Sequence, residues 1–262
     1  MKRGLLIDLD GVLYLGEKAI PGARAVVSWL QSSDYPFLFV TNTTSRPRHQ
    51  IVEKLHAMGM EISEHSIITP VFAASLWIKQ NVQGEVALFI PEATRADMQD
   101  IPSLEPGREE GAAAVVIGDL GVQWTYEQLN RAFRLLMHNP SAPLLALGMT
   151  RYWRAEDGLR LDVAPFVRAL ETATDKEAIV LGKPSADFFN MCLSLLGLEA
   201  EQVFMVGDDI RSDVAGAQAA GIWGVLVQTG KFQESDLDSG IDADVMLNSI
   251  AQLPDWLERI QA

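Results

Sequence analysis

Cysteine occurs once in 262 residues, at Cys192. One thiol cannot close an internal disulfide, which excludes a cross-linked secreted scaffold and suits a reducing cytoplasm. Its neighbours Phe188, Met191 and Leu195 read as core, so a buried thiol is expected rather than a nucleophile. Basic residues are also scarce: 21 Lys and Arg stand against 35 Asp and Glu, a formal net charge of -14. A nucleic-acid binder or a binder of anionic membranes needs a basic footprint, so neither partner is expected. A small anionic substrate stays compatible, because a local metal can reverse the sign of a site. Long apolar runs are missing. The first one, behind Lys2 and Arg3, stops at Asp8, too short for a signal peptide or a membrane span. Neither GxGxxG nor a P-loop lysine signature occurs. His49, His56, His65 and His138 are scattered without metal-ligand spacing. No repeat of fixed period, long linker or low-complexity tract interrupts the chain.

What is present is an ordinary globular composition, 48% hydrophobic and 21% charged, over a length comfortable for two domains. Gly4 to Leu9 is a short apolar run broken by Asp8, Asp10 and Gly11, as expected of a buried parallel strand. The two carboxylates share one side of an extended chain, just past a strand end where α/β proteins bind ligands. Two carboxylates that close repel unless a cation joins them. A magnesium-dependent carboxylate nucleophile with an acid/base partner accounts for the pair; the plain alternative is a strand ending in a solvated acidic turn.

Alternation continues along the chain. A helix opens at Pro21-Gly22, a strand runs from Phe37 to Val40 into Thr41-Asn42, and a helix begins near Ser45 with Pro47 in its first turn. From Pro70 onward, a helix at 70–81, one opened by Thr125-Tyr126-Glu127-Gln128 and continued by Leu129, Phe133 and Leu136, and one at 164–174 alternate with strands at 85–90, 112–117 and 144–147. Trp77, Phe133 and the other helical aromatics read as core. Arg151-Tyr152-Trp153-Arg154 lies beside the turn Glu156-Asp157-Gly158; it is either a plain surface hairpin or a specificity loop at the site entrance. A strand at 179–181 then leads to Gly182-Lys183-Pro184-Ser185, and one at 203–206 to Gly207-Asp208-Asp209 with Asp213. A short Ala/Gly-rich helix reaches Gly221, a strand follows at 223–227, and an amphipathic helix closes the chain.

Four strand ends thus carry polar residues, and in one parallel sheet they would share one edge. Carboxylates, a hydroxyl, an amide and an ammonium form an inventory suited to phosphoryl transfer. Magnesium takes hard oxygen ligands, and spread phosphoryl charge needs cations and fixed donors.

DLDGVLY, VTNTT, GKPS and GDDIRSD resemble, in order and spacing, the four motifs of the haloacid dehalogenase (HAD) superfamily of phosphatases. The insertion between the second and third resembles its type IIA, NagD-like branch. TRYWRAEDGLRLDVAPFVRALE and GDDIRSDVAGAQAAG resemble the phospholysine phosphohistidine inorganic pyrophosphate phosphatase group within it. The resemblance implies an α/β fold: a Rossmann-like, doubly wound parallel-sheet core at residues 1–70 and 182–262, and an inserted α/β C2-type cap domain at 71–181. It makes Asp8 the nucleophile that becomes an aspartyl phosphate, and Asp10 the acid that protonates the leaving group and then activates water. Mg2+ would be held by Asp8, the Asp10 backbone carbonyl and Asp208, with Asp213 ligating directly or through water. Thr41, the Asn42 backbone and Lys183 would bind the phosphoryl group. The implied substrate is a small phosphorylated metabolite or pyrophosphate, and the branch implies a homodimer through the cap. Two departures stand out. Many type IIA members read GDRLDTD where Arg211 here replaces the middle acid, and some of the pyrophosphatase-like group lack the acid found at Asp10. A haloacid dehalogenase shares the nucleophile but needs no Asp10, since halide leaves without a proton. A silent phosphate-binding or regulatory protein would not need the full set Asp8, Asp10, Lys183 and Asp208.

Overall fold

The structure, a computed structural model, describes residues 3–155 and 157–261, without the side chains of Arg154, Ala155 and Gln261. The chain divides into two compact units. The first comprises Met1–Thr41, Arg48–Ile68 and Lys183–Ala262; the second comprises Asn42–Pro47 and Thr69–Gly182.

The first unit is built on a six-stranded sheet in the order Val245–Leu247, Trp223–Val227, Val203–Gly207, Gly4–Asp8, Phe37–Val40, Ile67–Ile68. Every neighbouring pair is parallel. Gly4–Asp8 and Val203–Gly207 are buried at every position, which is why they read as continuous apolar runs rather than alternating ones. The chain fills one side of Gly4–Asp8 first and returns to fill the other, so a topological switch point lies between Gly4–Asp8 and Val203–Gly207. Ligands bind beyond strand ends at such points. Register aligns those ends: Asp8 pairs with Val40 and Ile7 with Val206. Asp8 ends its strand there, with Thr41 one residue past the paired Val40 and Asp208 two residues past the paired Val206.

Helices Ala23–Ser32, Arg48–Ala57, Ala186–Leu196 and Leu253–Gln261 belong to this unit. Val26 and Leu30 of the first, Leu55 of the second and Leu253 and Leu257 of the last close on Leu5, Ile7, Val206 and Val225 in one core. Arg48–Ala57 begins just after Pro47, later than Ser45, because proline lacks the amide that continues a helix but suits its entry. The fourth motif is not a plain short helix. Ile210–Ala215 is wound as a π-helix, and only Gly216–Ala219 is α-helical. The wide turn follows from Asp209, whose carbonyl accepts from both Asp213 N–H and Val214 N–H, at 3.0 and 3.3 Å.

The second unit carries its own four-stranded parallel sheet, ordered Ile179–Val180, Leu144–Ala146, Ala114–Ile117, Val86–Phe89. Here the reading of four strand ends on one sheet is corrected. The strand before Lys183 belongs to this second sheet, and two-residue strands have no periodicity to reveal their partner. Helix Pro70–Asn81 starts where Thr69 accepts from Phe72 N–H at 3.1 Å, and Tyr126–His138 where Thr125 accepts from Gln128 N–H at 3.3 Å. Leu135 and Leu136 pack with Val167 and Leu170 of Val163–Thr174 over Val115 and Ile117. Trp77 and Phe133, expected in the core, are only half-buried, because each sits at the margin of its helix's apolar face. Tyr152–Ala155 and Gly158–Leu161 form an antiparallel hairpin with Tyr152 and Trp153 exposed. The Arg154 side chain and Glu156 lie outside the described residues.

Trp124 is stacked between Phe89 and Phe166, with centroids 5.8 and 4.7 Å away, and its indole N–H donates to the Gly118 carbonyl at 3.2 Å. Removing it leaves a hole between two rings and orphans an acceptor. Trp124→Ala is expected to destabilise the second unit by about 3 kcal/mol in denaturant titration, and Trp124→Phe by less than half of that.

Candidate active site

The site grows from the aligned strand ends of the first unit. Asp8, Thr41, Lys183, Asp208 and Asp213 are all buried, an unusual density of polar side chains. Lys183 Nζ lies 2.7 Å from Asp8 Oδ1 and 2.7 Å from Asp213 Oδ1. Carboxylate oxygens of Asp8, Asp208 and Asp213 fall within 4.8 Å of one another. Three carboxylates against one ammonium leave two negative charges when all are ionised. Such an excess, taken out of water, is costly unless protons or a cation offset it.

The electrostatics follow. Burial pushes the Asp8 carboxyl up from its ordinary value, and Lys183 opposes that. Burial likewise pushes Asp208 and Asp213 up to about 6, against the Lys231 amide for the first and Lys183 for the second. Lys183 is pulled down by its own burial but raised further by Asp213 and Asp8, so it stays an ammonium. Asp208 Oδ1 is buried and has no hydrogen-bond partner among the described residues. An orphaned carboxylate oxygen beside an uncompensated double charge fits a divalent cation with oxygen preference, and the donor set is all oxygen.

Local structure explains why each group can sit there. Gly11, at φ +86°, leaves room for Asp208: a Cβ on it would stand 1.8 Å from Asp208 Oδ2. Ser185 caps Ala186–Leu196 by accepting from Asp187 N–H at 3.2 Å, which starts the helix three residues after Lys183. Asp209 is a cap rather than a further member of the cluster. Burial alone would raise it, but amide donors at Ser212 and Arg211, both 3.0 Å from Oδ1, and Lys231 hold it below the usual range. Arg211 is largely exposed, 3.9 Å from Asp236.

Of the residues expected in the site, Asp8, Lys183, Asp208 and Asp213 meet through their side chains. Thr41 is buried at the adjacent strand end, its N–H donating to Ile68 O at 3.1 Å. The Asp10 carboxylate is exposed and outside the buried cluster; its backbone forms a bridge with Tyr14 in the turn that Gly11 N–H closes onto Tyr14 O at 2.7 Å. Asn42 belongs to the second unit, where a Cβ on Gly182 would stand 3.2 Å from its Oδ1. Cys192 is fully buried and burial pushes its thiol up to about 12, as expected of an inert core thiol. The sequence reading passed over Thr229, Gly230 and Lys231. Trp223–Val227 is a fifth strand with a polar end, and the rule applied to the other ends would have found it. No helix among the described residues is long and apolar enough to cross a membrane.

Similarity to known proteins agrees with this geometry. A family model described as haloacid dehalogenase-like hydrolase matches residues 5–101, and a HAD-hydrolase-like model matches residues 180–253. The chain is 40% identical over 236 residues to haloacid dehalogenase-like hydrolase domain-containing protein 2 of Bos taurus, covering 90% of this chain and 88% of that one. It is 38% identical over 261 residues to the phospholysine phosphohistidine inorganic pyrophosphate phosphatase of Homo sapiens, covering 97% and 94%. Among solved structures, the p-nitrophenyl phosphatase from Archaeoglobus fulgidus superposes with a TM-score of 0.85 at 27% identity, over 97% of this chain and 99% of that one. With the motifs, the doubly wound sheet and these relatives in agreement, the chain belongs to the haloacid dehalogenase-like hydrolase family.

Proposed function

We propose that the protein is a magnesium-dependent phosphohydrolase that cleaves a small phosphorylated metabolite or pyrophosphate through an aspartyl phosphate on Asp8. The observation that carries this reading is the buried Asp8 carboxylate, 2.7 Å from the Lys183 ammonium and clustered with Asp208 and Asp213 at a sheet switch point. The names of two relatives support the reaction class, one being a phosphatase of phosphoamidates and pyrophosphate and the other of an aryl ester. Their common substrate feature is a transferable phosphoryl group.

In the proposed sequence an Asp8 oxygen attacks phosphorus and the bond to the leaving oxygen breaks. Asp10, exposed in the turn after the strand, gives that oxygen a proton. Asp10 then takes a proton from water, whose oxygen attacks the same phosphorus. Inorganic phosphate leaves and the Asp8 carboxylate is restored. Lys183 stays protonated throughout, neutralising Asp8 in the resting state and the phosphoryl oxygens during transfer. Thr41 donates its hydroxyl to the phosphoryl oxygens, with the Asn42 backbone beside it. Asp8 and Asp208 would hold magnesium with the Asp10 carbonyl, and Asp213 directly or through water. Bound there, magnesium offsets the excess negative charge and draws electron density from the phosphoryl oxygens. The second unit, as a cap, chooses among leaving groups in this reading, with Tyr152, Trp153 and Arg154 as its discriminating residues. Its apolar stripe Tyr126, Leu129, Phe133 and Met137, beside a groove of about 220 Å3 with Ala169 and Ala173, supports a homodimer through that unit.

Asp8→Asn is expected to lower para-nitrophenyl phosphate turnover by at least about a thousandfold while the fold is kept, because an amide is not a nucleophile here. Turnover within tenfold of wild type, with deamidation excluded by mass spectrometry, would contradict the nucleophile assignment. A second expectation concerns metal and pH. Asp208 and Asp213 sit at about 6 in the metal-free fold, above the ordinary 3.8. A folded state that binds more protons is favoured at low pH, so their contribution is most favourable below about pH 4 and is lost as pH rises through about 6. Magnesium should therefore raise the thermal midpoint more at about pH 7.5 than at about pH 5, since it replaces the missing protons. An equal shift at both values, measured by calorimetry, would count against this site as the metal site.

A further inference from the structure

The turn after Trp223–Val227 joins the first motif to the fourth. Thr229 Oγ1 donates to the Gly11 carbonyl at 2.6 Å, and Lys231 N–H donates to Asp208 Oδ2 at 2.7 Å. Between them Gly230, at φ +65°, leaves no space for a side chain: a Cβ there would stand 2.0 Å from Asp208 Oδ2 and 2.5 Å from Gly11 Cα. The Asp208 carboxylate is thus wedged between two residues without Cβ atoms. One of its oxygens is committed to the Lys231 amide, and the other, Oδ1, is buried with no hydrogen-bond partner among the described residues. The turn is itself anchored at both ends. Gln228 N–H donates to Leu247 O at 2.9 Å, and Phe232 packs on Ile210, Val214 and Leu226. The Lys231 ammonium adds a contact of 3.3 Å to Asp209. A single turn thereby sets the spacing between the loop carrying Asp10 and the carboxylate of Asp208.

We propose that Thr229 is a positioning residue for the divalent cation: by holding the Gly11 carbonyl it keeps the first-motif turn and Asp208 in one fixed relation, with Asp208 Oδ1 free to ligate. This rests on the reading of the cluster as a magnesium site. Groups that orient metal ligands without touching the metal change affinity by about ten- to a hundredfold when removed. The hydroxyl is the part that matters, because it makes the turn's hydrogen bond to the Gly11 carbonyl of the first-motif loop, while Lys231 N–H holds Asp208.

The test is binding of Mn2+, followed by electron paramagnetic resonance on the whole chain without substrate. Thr229→Val keeps the shape and removes the donor; Thr229→Ser keeps the donor. Thr229→Val is expected to weaken Mn2+ binding about ten- to a hundredfold with a metal-free thermal midpoint within a few degrees of wild type, and Thr229→Ser to bind within about threefold of wild type. If wild type binds Mn2+ and Thr229→Val binds it equally well, or if Thr229→Val does not fold without metal, the hydroxyl is structural and the proposal falls alone. If wild type binds no Mn2+, the magnesium reading falls, and the positioning role with it.

Discussion

The site depends on one buried ammonium shared by two carboxylates. Lys183 touches Asp8 and Asp213 at 2.7 Å each, away from solvent, with Asp208 close by. Pairs of this kind repay their desolvation only when geometry and further hydrogen bonds are good. Here the repayment is incomplete, because the carboxylates outnumber the ammonium. The fold holds the imbalance in place with backbone rather than side chains. Asp208 is gripped by an amide and confined by two glycines, and Asp213 Oδ2 accepts from Asp209 N–H at 3.2 Å. In the proposed reading a cation completes this excess of negative charge, and a phosphoryl group can then approach.

Sheet topology delivers these groups to one place. The register of Gly4–Asp8 with its two neighbours makes three strand ends level. The second unit takes up Asn42–Pro47 and Thr69–Gly182, and none of these residues is paired in the first sheet. Lys183 follows the last strand of the second sheet and lies three residues before helix Ala186–Leu196, so its backbone is fixed on both sides.

Much of this was legible in the sequence, for a physical reason. Buried parallel strands are apolar throughout, so an Asp or Thr that ends such a run stands out, and Asp8, Thr41 and Asp208 were found that way. Lys183 was found by the same rule although its strand belongs to another sheet. The reading put the strand in the wrong sheet, because strand partners are chosen by tertiary contacts that two residues, Ile179 and Val180, do not encode. Other features carried no local signal. The short pairs Tyr14–Leu15 with Lys18–Ala19, and Ile67–Ile68, are too brief for periodicity. The π-turn at Ile210–Ala215 looks helical in sequence, because its widening depends on the Asp209 carbonyl accepting from Val214 N–H as well as Asp213 N–H. Thr229 and Gly230 lie just past a strand end that the same rule would have flagged, but their contacts with Gly11 and Asp208 are visible only in the structure.

The central claim is that Asp8 itself becomes phosphorylated. Rapid acid quenching of wild-type protein turning over para-nitrophenyl phosphate with magnesium, followed by peptide mass spectrometry, tests it most directly. The account predicts a phosphate adduct confined to Asp8 of the first peptide and absent from Asp10. Adduct on any other residue, or full turnover with no adduct at the earliest quench times, would contradict it.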